Sequence, residues 1–210
     1  MLFRSPDSWS HYGQAPRKKN LSRGASHGER DWSIFKGVCL HQTAALIKSD
    51  HRKLLAIPAH DIVTWDNRAI VLHDGDDYMW HAGALNRYTT GVEIACRAAG
   101  TEGDRSTLWI GPSDKAKGFT YESLCREPTD EQLALARDMV ERRLAEAVLH
   151  GCTLRNLGIY AHRQSSAHRL SDPGSRIWQH VALPLTRKYK LRDTSQEVFD
   201  TGRPIPRSWK

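Results

Sequence analysis

A chain of 210 residues has the length of one domain with a small appendage, enough to bury a core without disulfides or a structural metal. Hydrophobic residues at 39% and charged residues at 26% exclude a wholly disordered chain, and no apolar run nears the ~18–20 residues that a bilayer span needs. The net charge of +7 favours a polyanionic partner, whether nucleic acid, an anionic membrane surface or an acidic wall polymer.

Residues 1–31 hold Ser, Gly and Pro with the run Arg17-Lys18-Lys19, so a basic, loosely ordered arm is expected there. Met1-Leu2-Phe3-Arg4-Ser5-Pro6 turns polar at once and lacks the apolar core of a secretory signal. Synthesis in the cytoplasm without a signal peptide is therefore expected. The folded domain is expected over residues 32–190.

Phe35–His41 reads as a strand ending at His41, and Thr43–Lys48 as a helix leaving it. His60–Trp65 and Ala69–His73 flank the turn residues Asp66-Asn67-Arg68 and predict a hairpin. Gly91–Cys96 is a third strand, and residues 98–128, without periodicity, predict a long loop. Leu133, Ala136, Val140, Leu144 and Ala147 recur at three and four residues and predict a helix from Asp130 to His150, with Thr129 and Gln132 as its capping box and Gly151 as its stop. Asn156–Ala161 is a short strand that delivers His162, a last helix is expected from Pro173, and residues 191–210, with Pro204 and Pro206, predict a loosely ordered tail. Strands interleaved with helices indicate an α/β fold: a mixed central β-sheet with helices packed against it.

Eleven histidines exceed what such a core needs. His41 and His162 stand at strand ends, and Asp172 follows ten residues after the second. Two imidazoles and a carboxylate match a catalytic zinc site that keeps its fourth position for water. The alternative stands beside it: Asp172 before Pro173 also matches a helix N-cap with proline at N1. Glu93 lies in mid-strand, facing away from Val92 and Ile94. On a metal-bearing face it can take a proton from water; elsewhere it is a solvated strand residue. Cys39, Cys96, Cys125 and Cys152 form no CxxC pair and are expected to be reduced.

Three segments together resemble the zinc-dependent N-acetylmuramoyl-L-alanine amidases, the superfamily of phage lysozyme-amidases, wall-recycling amidases and peptidoglycan recognition proteins. They are Val38-Cys39-Leu40-His41-Gln42-Thr43-Ala44; Trp80-His81-Ala82-Gly83 with Asn86 and Thr89-Thr90-Gly91-Val92-Glu93-Ile94; and His162-Arg163-Gln164 through Ser171-Asp172-Pro173-Gly174. The resemblance implies zinc on His41, His162 and Asp172, with Glu93 as catalytic carboxylate. It also implies hydrolysis of the amide joining N-acetylmuramic acid to L-alanine in peptidoglycan. Many relatives place a lysine two residues before the third ligand, where this chain has Leu170. His168 and Arg169 are the nearest candidates to stabilise an oxyanion, with His168 taken as catalytic and Arg169 as substrate-binding. Trp80, His81 and Asn86 are expected to line the substrate groove.

The resemblance leaves two alternatives: a muropeptide-recycling amidase, or a wall-binding module without turnover. Peptidoglycan or muropeptides are the expected partners of a monomer that spans no membrane. No zinc-finger, RNP or basic-heptad pattern supports specific nucleic-acid binding. For an endolysin-like enzyme, the wall would be reached after lysis-linked release or by injection.

Overall fold

A computed structural model describes residues 13–14, 27–49, 54 and 56–210. The expected basic arm therefore lies outside the described residues, apart from 13–14 and 27–31. The centre is a six-stranded sheet in the order β1-β4-β3-β5-β2-β6. Its strands are β1 (Gly13–Gln14), β2 (Gly37–Gln42), β3 (Asp61–Val63), β4 (Ala69–Val71), β5 (Thr89–Ile94) and β6 (Gly158–Ala161). Neighbours run parallel except β3 and β4, which form the expected antiparallel hairpin.

Alternation along the strands sends Val38, Leu40, Val92, Ile94, Ile159 and Ala161 to one face, where they pack with Leu133, Ala136, Val140 and Leu144. Those four lie on the long helix Asp130–Leu149, which starts as expected: Thr129 accepts from the Gln132 backbone N–H, and the Gln132 side chain accepts from the Thr129 N–H. Gln132 Nε2 also donates to the carbonyls of Thr64 and Ala95, tying the helix start to the ends of β3 and β5. Deeper along the same helix, buried Arg143 makes a two-pronged pair with buried Asp61, at 2.6 and 2.8 Å. No helix among the described residues is long and apolar enough to cross a membrane.

Three local expectations are corrected. Thr43–Lys48 is not helical: Ala44 takes φ 51°, and Thr43 Oγ1 donates to the Ala45 carbonyl and accepts from the Ala45 N–H. The chain thus turns off the end of β2 instead of continuing as a helix. Within residues 98–128 stand two short helices, Pro112–Ala116 and Tyr121–Leu124. The last helical segment begins at Ser175, with Gly174 at its cap, and passes through a π-turn at Trp178–Ala182 into Leu183–Tyr189.

In place of the loosely ordered tail, residues 191–210 pack into the core through Leu191, Ile205 and Trp209. The apolar payload of Ile205 and Trp209 outweighs the two prolines, which only punctuate an extended path. This segment also holds the turn that carries His162. Gln164 Nε2 donates to the carbonyls of Thr194 and Glu197, and the Phe199 N–H donates to the Gln164 carbonyl. Gly202 lies so close that a Cβ there would stand 2.0 Å from the Gln164 carbonyl oxygen. Trp209→Ala is expected to cost about 3–5 kcal/mol, read as a lower denaturant midpoint at unchanged slope.

Candidate metal centre

Strand register builds the site. His41 of β2 pairs with Glu93 of β5, and Leu40 pairs with Ala161 at the end of β6. His162, the next residue, therefore emerges beside His41 on the face opposite the long helix. His41 Nδ1 and His162 Nδ1 stand 3.0 Å apart, and Asp172 Oδ2 lies 3.2 Å from His162 Nδ1. Ligand atoms of one tetrahedral zinc are separated by roughly 3.3 Å, given metal–ligand bonds of about 2.0–2.1 Å. The three donors are of the right kind and converge within 4.8 Å of one another, so they fit a zinc ion.

Asp172 does not cap the following helix, whose cap residue is Gly174. Its Oδ1 accepts from the Gln42 N–H at 2.9 Å. Gln42, not singled out from the sequence, fixes this loop further: its Nε2 donates to the carbonyls of Ser171 and Ala98, and its Oε1 accepts from the Ala98 N–H. Its position directly after a candidate ligand was the only sequence signal available.

Glu93 Oε1 lies 4.0 Å from His41 Nδ1, beyond ligand distance but beside the donor cluster. Oε2 is buried and has no hydrogen-bond partner among the described residues, and Glu93 lines a cleft with His162, Arg169 and Asp172. Burial first, then the negative Asp172, pushes the Glu93 carboxyl up to about 8, with Arg169 opposing. Burial, followed by His162 and His81, holds His41 well below the usual histidine range. A neutral imidazole is the form that binds metal.

The remaining sequence candidates separate. Arg169 borders the cleft that also contains Glu93, His162 and Asp172. His168 borders an adjoining depression with Trp109, Arg169, Ser171 and Asp172, whereas Arg169 also borders the clefts that contain Glu93, His81 and His162. The Asp172 N–H donates to the Arg169 carbonyl, closing the turn that leads into Asp172. Trp80 is 61% exposed, stacks on His27 and lines a cleft with Pro58, His162 and Arg169. Asn86 borders the same cleft, but its Oδ1 is taken by the Ala82 N–H. His81 is buried, and both of its ring nitrogens are engaged, by His41 and by the Thr89 carbonyl. It stands behind His41 and still borders the cleft with Trp80 and Asn86, although at 6% exposure it presents little surface there.

A second trio, Cys39, His41 and His81, also gathers within 4.8 Å. It is fully buried, and its two imidazoles are already joined at 3.0 Å.

A family model for N-acetylmuramoyl-L-alanine amidases matches residues 31–175, whereas a search of curated protein sequences returned no match. Among solved structures, bumblebee PGRP-SA is similar at 9% identity and a TM-score of 0.52, over 84% of this chain and 93% of that one. Apis mellifera PGRP-SA follows at 8% and 0.51, over 84% and 94%. Peptidoglycan recognition protein-LE, solved in complex with tracheal cytotoxin, has 14% and 0.51, over 85% and 94%. These similarities establish the fold, the expected mixed sheet with packed helices. The family match spans more than half of the sequence and encloses all three donors and Glu93, and the chain belongs to the N-acetylmuramoyl-L-alanine amidase family.

Proposed function

We propose that this protein is a zinc-dependent amidase that cleaves the bond between the lactyl group of N-acetylmuramic acid and L-alanine in peptidoglycan. The observation that carries the reading is the convergence of His41 Nδ1, His162 Nδ1 and Asp172 Oδ2 beside a buried carboxylate with an unpartnered oxygen. A zinc ion held by those three atoms supplies Lewis acidity, polarising a carbonyl and acidifying water.

The chain's own residues supply the rest. Glu93, in the carboxylate form that a cation held by the adjacent donors would favour, accepts the proton of the attacking water and delivers it to the alanine nitrogen as the C–N bond breaks. The hydroxyl goes to the lactyl carbonyl carbon, leaving a carboxylic acid and a free amine. Arg169, at the mouth of the cleft, offers a positive charge to the carbonyl oxygen as it becomes anionic. The exposed face of Trp80 suits a sugar or peptide ring. Peptidoglycan recognition protein-LE was solved with a monomeric diaminopimelic acid-type peptidoglycan, which supports wall polymer or muropeptide as partner. The net charge of +7 suits an anionic wall, an attraction that weakens with added salt.

The test is incubation of zinc-loaded protein with purified sacculi and with soluble muropeptides, followed by assay of newly exposed L-alanine amino termini. New termini are expected. Zinc-loaded protein that binds either substrate and releases none sinks the hydrolase reading in favour of a binding module.

A further inference from the structure

We propose that His81 is a positioning residue that fixes the ring of His41 in the tautomer whose Nδ1 lone pair faces the donor cluster. The proposal rests on the reading of His41 as a metal ligand and adds the device that prepares it.

The argument is an accounting of protons along one row of hydrogen bonds. A backbone carbonyl only accepts, so His81 Nε2, 2.9 Å from the Thr89 carbonyl oxygen, must be the nitrogen that carries hydrogen. His81 Nδ1 is then an acceptor. It lies 3.0 Å from His41 Nε2, so that nitrogen must donate. With hydrogen on Nε2, neutral His41 has a bare lone pair on Nδ1, the atom that faces His162, Asp172 and Glu93.

Imidazole tautomers differ little in energy in water, so a ligand without a partner on its far nitrogen spends part of its time with the wrong atom protonated. Here the direction is set by a carbonyl on β5 that cannot reverse. The fold makes room for the arrangement. A Cβ at Gly91 would stand 2.7 Å from His81 Nδ1, so only glycine lets the ring lie against β5 and reach His41.

Two measurements test the proposal. In metal-free wild-type protein, nitrogen-15 NMR of the His41 ring should show hydrogen on Nε2 and a bare Nδ1; hydrogen on Nδ1 overturns the proposal without any mutation. In a zinc-competition titration, His81→Phe, which keeps a ring but no nitrogens, should weaken affinity by about 10–100-fold. His81→Gln, whose amide offers an acceptor and a donor, should recover most of the loss. If His81→Phe binds zinc as the wild type does, the proposal fails while the ligand assignment stands. If the wild-type protein itself takes up no zinc, it is the ligand assignment that fails.

Discussion

Glu93→Gln is expected to bind zinc as the wild type does and to release L-alanine amino termini about 10²–10⁴-fold more slowly, the usual cost of losing a general base. The same substitution should strengthen the metal-free fold. The Glu93 carboxyl is raised from about 4.5 to about 8, chiefly by burial, so between those pH values the folded chain holds a proton that the unfolded chain has released. Stability of the metal-free protein therefore falls as pH rises through that window. Glutamine removes the titration. The variant should unfold at higher denaturant than wild type above pH 8, by up to about 5 kcal/mol, and the advantage should vanish below pH ~4.5. Chelated samples of both proteins, unfolded across that range, measure the difference. A gain that persists unchanged at acid pH would mean that it arises from packing, with the carboxylate's charge playing no part.

His162→Ala is expected to lose both zinc and turnover. One of three ligand atoms disappears, leaving His41 and Asp172 without the donor that stands 3.0 Å from one and 3.2 Å from the other. Zinc at a hundredfold its dissociation constant stabilises a folded protein by about 2.7 kcal/mol. Wild type should therefore show a higher unfolding midpoint with zinc than with chelator, and His162→Ala should show the same midpoint in both. Equal zinc stabilisation of the two proteins would remove His162 from the ligand set.

Much of the site was legible because its parts depend on short-range rules. His41 and Glu93 sit in apolar runs whose alternation places them opposite Val92 and Ile94, and parallel register then sets them side by side. The long helix announced itself through Thr129, Gln132 and a regular apolar stripe. What escaped depends on partners distant in sequence. Ala44 and Ala45 read as helix formers, yet the chain must turn where β2 ends. Ile205 and Trp209 lie among prolines and become core only because the Ser175–Tyr189 segment and the His162 turn wait beneath them. Nothing local distinguishes His168 from Arg169; that Arg169 also borders the cleft with Glu93 depends on how the segment between His162 and Asp172 folds. The same limit applied to His81: its neighbours along the chain suggest the groove it does border, but not its contacts with the Thr89 carbonyl and the His41 ring.

The account turns on where a metal binds. Anomalous scattering at the zinc edge, from a crystal of the zinc-loaded protein, would locate it directly. The expected result is one peak about 2.0–2.2 Å from His41 Nδ1, His162 Nδ1 and an oxygen of Asp172, with Glu93 alongside but not bound. A peak instead between Cys39, His41 Nε2 and His81, or no peak on His41 at all, would contradict it.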